Sequence, residues 1–210
     1  LFAAFPHWYA TLFSGFYLAL LLILLALIAR GVSFEYRHQR DSLRLKRGFD
    51  NMIVIVSALP ALLWGVAVAN IVQGVPIDES MEFTGSLLTL LNPYGLLGGV
   101  TTLLLFFTHG VYFVALKTDG QVAADARRLA GRAGLLTIVV AAAFLVWTVV
   151  MAFSQGRDLA MITAILSAIA AVLLIGSWVA NARGREGWAF GLGAFTIVSA
   201  ARKRCSKLEP

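Results

Sequence analysis

Read as a succession of apolar and charged stretches, the chain contains six runs free of Asp, Glu, Lys and Arg: 1–29, 51–77, 83–116, 133–156, 159–182 and 187–201. A membrane-crossing helix needs about 20 consecutive, mainly apolar residues. Five runs exceed that length and the sixth, 187–201, falls short. The pattern predicts an all-α, polytopic membrane helix bundle of about six spans, with one membrane domain over 1–198 and a basic tail over 199–210. Asn92-Pro93, just ahead of apolar sequence, predicts where the third span starts: Asn caps free backbone N–H groups, and Pro at the first helical position has no N–H to lose. Gly95 and Gly99, and again Gly187 and Gly191, have the spacing that lets two helices approach closely in lipid. Both pairs read first as tight packing inside one bundle, and second as subunit contacts.

Composition sharpens the class. Hydrophobic residues make up 60% of the 210 and charged residues 13%, which excludes a disordered chain and argues against a water-soluble globule. The formal charge of +6 raises nucleic acid as a partner, but the positions of the charges explain it otherwise. Segment 30–50 carries Arg30, Arg37, Arg40, Arg44, Lys46 and Arg47; segment 78–82 carries only Asp78, Glu79 and Glu82. Segment 117–132 returns to basic with Lys117, Arg127, Arg128 and Arg132, and 183–186 holds Arg183 and Arg185. Basic and non-basic connections alternate, as the positive-inside rule requires of a multi-pass protein. Loops 30–50, 117–132 and 183–186 are therefore expected in the cytoplasm, with the first span running inward, and no nucleic acid is expected as a partner. The tail breaks this scheme. A sixth span entering from inside would deliver Arg202, Lys203, Arg204 and Lys207 outside after too few apolar residues, so either the helix is cut short or the tail is foreign sequence. The chain opens without Met and without a basic leader, as expected of a piece of a longer protein.

Chemistry-bearing residues are few. The single cysteine, Cys205, excludes an internal disulfide, and no Cys/His spacing suits zinc or covalent haem. His109 is the one histidine well inside a span; it reads as a hydrogen-bonded His facing a neighbouring helix or partner, with haem ligation the lesser alternative because no axial mate is apparent. Gly191-Leu192-Gly193 has no strand before it and is no nucleotide motif, and no Ser/His/Asp set shares one membrane depth. Arg37, Arg40, Arg44 and Arg47 are spaced to share one helical face, with Asp41 placed to pair with Arg37 or Arg44, near anionic headgroups. All eleven acids lie in loops or at span ends, which weakens a coupled-transporter reading. Glu35, six residues beyond the first span, is the acid to watch: it forms a salt bridge to Arg30 or Arg37, or it exchanges protons with the cytoplasm.

Several stretches resemble one family. Leu1-Phe2-Ala3-Ala4-Phe5-Pro6, Phe13-Ser14-Gly15-Phe16-Tyr17, Arg30-Gly31-Val32-Ser33-Phe34-Glu35-Tyr36-Arg37, Asn70-Ile71-Val72-Gln73-Gly74-Val75-Pro76, Asn92-Pro93-Tyr94-Gly95-Leu96-Leu97 and Gly187-Trp188-Ala189-Phe190 are similar, in that order, to subunit II of the cytochrome bd-type quinol oxidases. The resemblance runs over about 1–198. It implies a nine-helix subunit of the bacterial cytoplasmic membrane, of which six spans are present and the last is incomplete. It implies subunit I as heterodimer partner, carrying haem b and haem d and the quinol site, with no haem, metal or catalytic residue in this chain. The complex would oxidise quinol and reduce oxygen to water; this chain alone would not be catalytic. Membrane lipid is the remaining expected partner. The carboxylate that the family places in the Arg-Gly motif is here Glu35, which makes Glu35 the expected proton-pathway residue. The alternatives are a transporter or channel half, and a membrane scaffold without a redox role.

Overall fold

The computed structural model describes residues 13–39, 42–74, 87–154 and 160–202. They form α1 (Tyr17–His38), α2 (Leu43–Gln73), a single turn α3 (Leu87–Leu90), α4 (Pro93–Lys117), α5 (Gly120–Ser154), α6 (Ala160–Ala182) and α7 (Glu186–Arg202). No strand occurs among the described residues. Helices α1, α2, α4, α5 and α6 are each long and apolar enough to cross a membrane; α7, with 17 residues, is the short sixth run. The fold is an all-α multi-pass membrane bundle.

Two expected loops are largely helix. At 1.5 Å per residue the 35 residues of α5 extend about 52 Å, well beyond a hydrocarbon core of about 30 Å. Its apolar part begins at Ala133, so the turns bearing Arg127, Arg128 and Arg132 project past the membrane edge as a helical stalk. The first two turns of α2, with Arg44, Lys46 and Arg47, do the same. The single arginine face over 37–47 is not formed. Helix α1 ends at Gln39, whose N–H bonds the carbonyl of Tyr36, and Ser42 is extended (φ −66°, ψ 119°) before α2 begins. Arg37 therefore belongs to α1, and Arg44 and Arg47 to α2; Arg40 and Asp41 lie outside the described residues, as do segment 78–82 and the tail from 203.

The chain groups into two compact units, Leu1–Leu103 and Leu104–Pro210. In the first, α1 packs along α2 around Phe16, Val66, Ala67 and Leu90. The early part of α4 meets α2 through glycine: a Cβ on Gly99 would lie 2.8 Å from Val66 Cγ2 and 2.9 Å from the Leu62 carbonyl, and one on Gly65 would lie 2.7 Å from the Gly98 carbonyl. In the second unit α6 packs on both α5 and α7. The buried stripe of α5 is made of small residues, Ala123, Ala126 and Ala130 before the apolar part and Gly134, Thr137 and Ala141 within it; within it, close packing takes the place of the hydrophobic driving force that lipid removes. Hydroxyls at Thr101, Thr137, Thr148 and Ser167 bond the carbonyl one turn back, which satisfies them where water is absent.

The second glycine pair departs from expectation. Nothing lies within 4 Å of a Cβ built on Gly187 or Gly191. The buried face of α7 is Ala189, Gly193 and Thr196, two residues on from the glycine pair. Two residues are about 200° of helix, so the same small-residue spacing closes on the opposite face. Helix α6 ends where Gly184 takes φ 69°, with its N–H on the Asn181 carbonyl and that of Arg185 on the Ala180 carbonyl. A left-handed residue with this bond pair terminates helices and favours glycine.

Candidate functional site

The acid singled out in the sequence stands in the last turn but one of α1. Ser33, two residues before it, is buried and bonds the Ala29 carbonyl at 2.7 Å, and two residues are about 200° of helix, so Glu35 lies on the opposite face. Glu35 is exposed. It continues a line of exposed apolar residues, Leu18, Leu21, Leu25, Ile28 and Val32, at the alternating three and four spacing of one helical face.

Neither arginine expected to pair with Glu35 does so. Arg37 Nε donates to Asp50 Oδ1 on α2 at 2.5 Å, and its Nη2 reaches Oδ2 at 3.5 Å. Arg30 lies over the ring of Phe34, 5.6 Å from its centre. Among the described residues Glu35 makes no ion pair. Both side chains of the Arg37–Asp50 pair are close to half exposed, so it fixes the join of α1 to α2 while contributing at most about 1 kcal/mol.

His109, on the later part of α4, faces a neighbouring helix, but through ring stacking and not through the expected hydrogen bond. Its imidazole lies 4.4 Å from the ring of Phe190 at 23°, and Phe113 leans on Phe190 at 5.9 Å. The Nδ1 atom is buried without a hydrogen-bond partner, and a Cβ on Gly193 would stand 3.0 Å from it. One ring face is thus covered and one nitrogen, Nδ1, enclosed. Nearby polar groups are mutually satisfied: Thr108 and Thr137 share a hydrogen bond of 2.8 Å, and the Tyr112 hydroxyl bonds Ser177. Among the described residues no three His, Cys, Asp or Glu side chains gather as a metal site would require.

The Asn-Pro element proves to be a knot rather than a cap alone. Asn92 Oδ1 accepts the Gly95 N–H at 2.6 Å, which is the N-cap bond, and Pro93 occupies the first helical position. Asn92 Nδ2 donates to Asn70 Oδ1 at 2.7 Å, and Asn70 Nδ2 donates to the carbonyls of Val66 at 2.8 Å and Leu90 at 2.7 Å. Gly95 is required here, because a Cβ would lie 2.7 Å from both Asn70 Nδ2 and the Leu90 carbonyl. Asn70 is 5% exposed. Its role was missed in the sequence, although an amide near the end of a long apolar helix was a signal that it must find a partner.

Residues 1–202 match the family described as cytochrome bd terminal oxidase subunit II. Cytochrome bd ubiquinol oxidase subunit 2 of Bacillus subtilis is 34% identical over 194 residues, covering 91% of this chain and 56% of its own length. Cytochrome bd-I ubiquinol oxidase subunit 2 of Escherichia coli is 41% identical over 151 residues, 70% of this chain and 40% of its own length. A probable cytochrome oxidase subunit 2 of Haemophilus influenzae is 38% identical over the same share of each. The chain spans about half the length of the curated relatives it matches.

Proposed function

The chain belongs to the cytochrome bd terminal oxidase subunit II family, and on that premise we propose that it serves a bacterial quinol oxidase as the second subunit, in the cytoplasmic membrane, beside a subunit I that carries haem b and haem d. The complex takes four electrons from two quinols and, with four protons, reduces one oxygen molecule to two waters. This chain binds no haem itself; it holds subunit I in its working form and contributes to proton uptake. The family match over residues 1–202 carries the reading. By the positive-inside rule, the ends of α1, α2, α5 and α6 that bear Arg and Lys would face the cytoplasm.

Glu35 is the residue assigned to protons. Water formation consumes protons from the side where the positive-inside rule places the end of α1. A carboxylate at a span end can exchange with bulk water while facing a protein-lined path. Its support is the family's carboxylate in the matching motif, together with the engagement of Arg37 by Asp50 and of Arg30 by Phe34. The test is Glu35→Gln in the full-length complex, since Gln keeps shape and hydrogen bonding without a titratable proton. Normal haem bands with slowed oxygen consumption, restored by Glu35→Asp, are expected. Parent turnover across pH with normal haem content removes Glu35 from the path. Absence of co-purifying b and d haem bands with the full-length parent protein overturns the oxidase reading itself.

A further inference from the structure

We propose that the groove between the basic ends of α5 and α6 holds the headgroup of an anionic glycerophospholipid bearing a free headgroup hydroxyl, of the phosphatidylglycerol type. The groove is open and shallow, with a volume of about 490 Å³, and is lined by Arg127, Arg128, Arg132, Trp178 and Asn181 together with Gly131 and Gly184. Its depth follows from the sequence. The apolar run of α5 starts at Ala133 and that of α6 ends at Ala182, so the groove lies where hydrocarbon gives way to phosphate.

The charges are sorted. Arg127 is taken by an ion pair with Glu186, while Arg128 and Arg132 are exposed and stand one turn apart on one face. That face continues toward the membrane as Leu135, Leu136 and Val139, all exposed, which are three, four and seven residues beyond Arg132. A lipid whose phosphate sits between the two guanidiniums can therefore lay an acyl chain along the same helix. Trp178 forms the wall; its Nε1 donates to the Gly131 carbonyl at 2.9 Å, which fixes the indole at the interface where such rings are favoured.

Asn181 selects the headgroup. It is 6% exposed; its Nδ2 is directed at the Arg127 carbonyl at 3.4 Å, which aims Oδ1 the other way. Oδ1 is closed off and has no partner among the described residues, and a buried acceptor left unpaired is unfavourable; the amide is held only by that long contact, and a turn of it brings Oδ1 to the groove that Asn181 lines. There Oδ1 calls for a donor from the ligand. A phosphodiester has none, a choline headgroup has none, and an ethanolamine headgroup brings a cation beside two arginines. A glycerol headgroup brings an anionic phosphate and a hydroxyl together. Glycerol phosphate free in solution has the same chemistry, and the acyl chain is what distinguishes the two sources.

The experiment uses the full-length complex in phosphatidylcholine nanodiscs doped with phosphatidylglycerol, with retained lipid counted by native mass spectrometry. The parent should retain phosphatidylglycerol in preference to phosphatidylcholine. Arg128→Gln with Arg132→Gln should lower that preference by about 30-fold, the joint effect of two basic side chains on an anionic headgroup. Asn181→Leu should keep the preference for an anion but lose the discrimination between phosphatidylglycerol and phosphatidylmethanol, which lacks the hydroxyl. Both arginines are exposed, and Arg132→Lys, which keeps the charge, should retain most of the lipid and shows that the site, not the fold, is being read. Equal retention by parent and double variant overturns the proposal. So does displacement by millimolar glycerol phosphate, which would make the ligand a free anion, or discrimination unaffected by Asn181→Leu.

Discussion

Removing the side chain of Asn92 undoes two things at once, and the structure allows them to be separated. Asn92→Ala deletes the N-cap bond to the Gly95 N–H, a loss of about 1 kcal/mol, and the bond from Asn92 Nδ2 to Asn70 Oδ1. The second bond joins two helices, where measured values in membranes average about 0.6 kcal/mol. The sum is about 1.6 kcal/mol. Asn92→Ser keeps a capping oxygen but is too short to reach Asn70, so it should lose only the smaller part. Full-length protein, unfolded reversibly in mixed micelles by titration with a denaturing detergent, gives the free energies. The cycle of Asn70→Ala, Asn92→Ala and the double variant isolates the coupling, expected at about 0.6 kcal/mol. If Asn92→Ala and Asn92→Ser destabilise equally, the cap contributes nothing; if the cycle closes to zero, the two amides are not partners. Either result refutes the knot as the device that joins α2 to the start of α4.

Glycine substitutions should split by face. Gly65→Ala and Gly99→Ala force a Cβ to within 3 Å of the opposing helix and should each destabilise by about 1–3 kcal/mol, whereas Gly187→Ala and Gly191→Ala meet nothing within 4 Å among the described residues and should be neutral or raise stability by up to about 1 kcal/mol through helix propensity; the same detergent titration, run on this chain, checks both, and equal effects would mean that the faces are misassigned. His109→Ala in the full complex should leave every haem band at parent amplitude, because no second axial ligand is apparent for it; selective loss of one band in an otherwise assembled complex would make His109 a ligand.

What was legible in the sequence and what was not divide along a physical line. The stretches long and apolar enough to cross a membrane were legible, because charge is costly in hydrocarbon and bounds an apolar run. Helix ends were not, because a helix does not stop where lipid does: Arg127, Arg128 and Arg132 interrupt the apolar run but not the backbone hydrogen bonds of α5. The start of α4 was legible because Asn92, Pro93 and Gly95 act within one turn of chain. Their partner Asn70, twenty-two residues upstream, depends on which face of α2 meets α4. The same limit explains the glycines. The Gly-x-x-x-Gly spacing names a surface able to pack, and only the arrangement of neighbours decides whether Gly99 uses it and Gly191 does not. Gly193 and the arginine groove were hidden for that reason too, since each is made by residues from helices far apart in sequence.

The proton assignment and the apolar stripe of α1 stand or fall together. Leu18, Leu21, Leu25, Ile28, Val32 and Glu35 share one face, and whatever covers the apolar residues also covers the approach to the carboxylate. Against lipid, Glu35 would sit among headgroups, exchanging protons with bulk water and passing them nowhere, because hydrocarbon offers no onward acceptor. Against a second protein helix the same carboxylate opens onto a lined path, and protons taken up there have a direction. Arg37 does not close that path by pairing with Glu35, since Asp50 holds it from α2. The Asp50 contact, small as its own contribution to stability is, leaves Arg37 engaged on α2 and not on the carboxylate. A slowed rate in Glu35→Gln therefore requires protein along the stripe, whether from a partner or from the rest of the full-length chain.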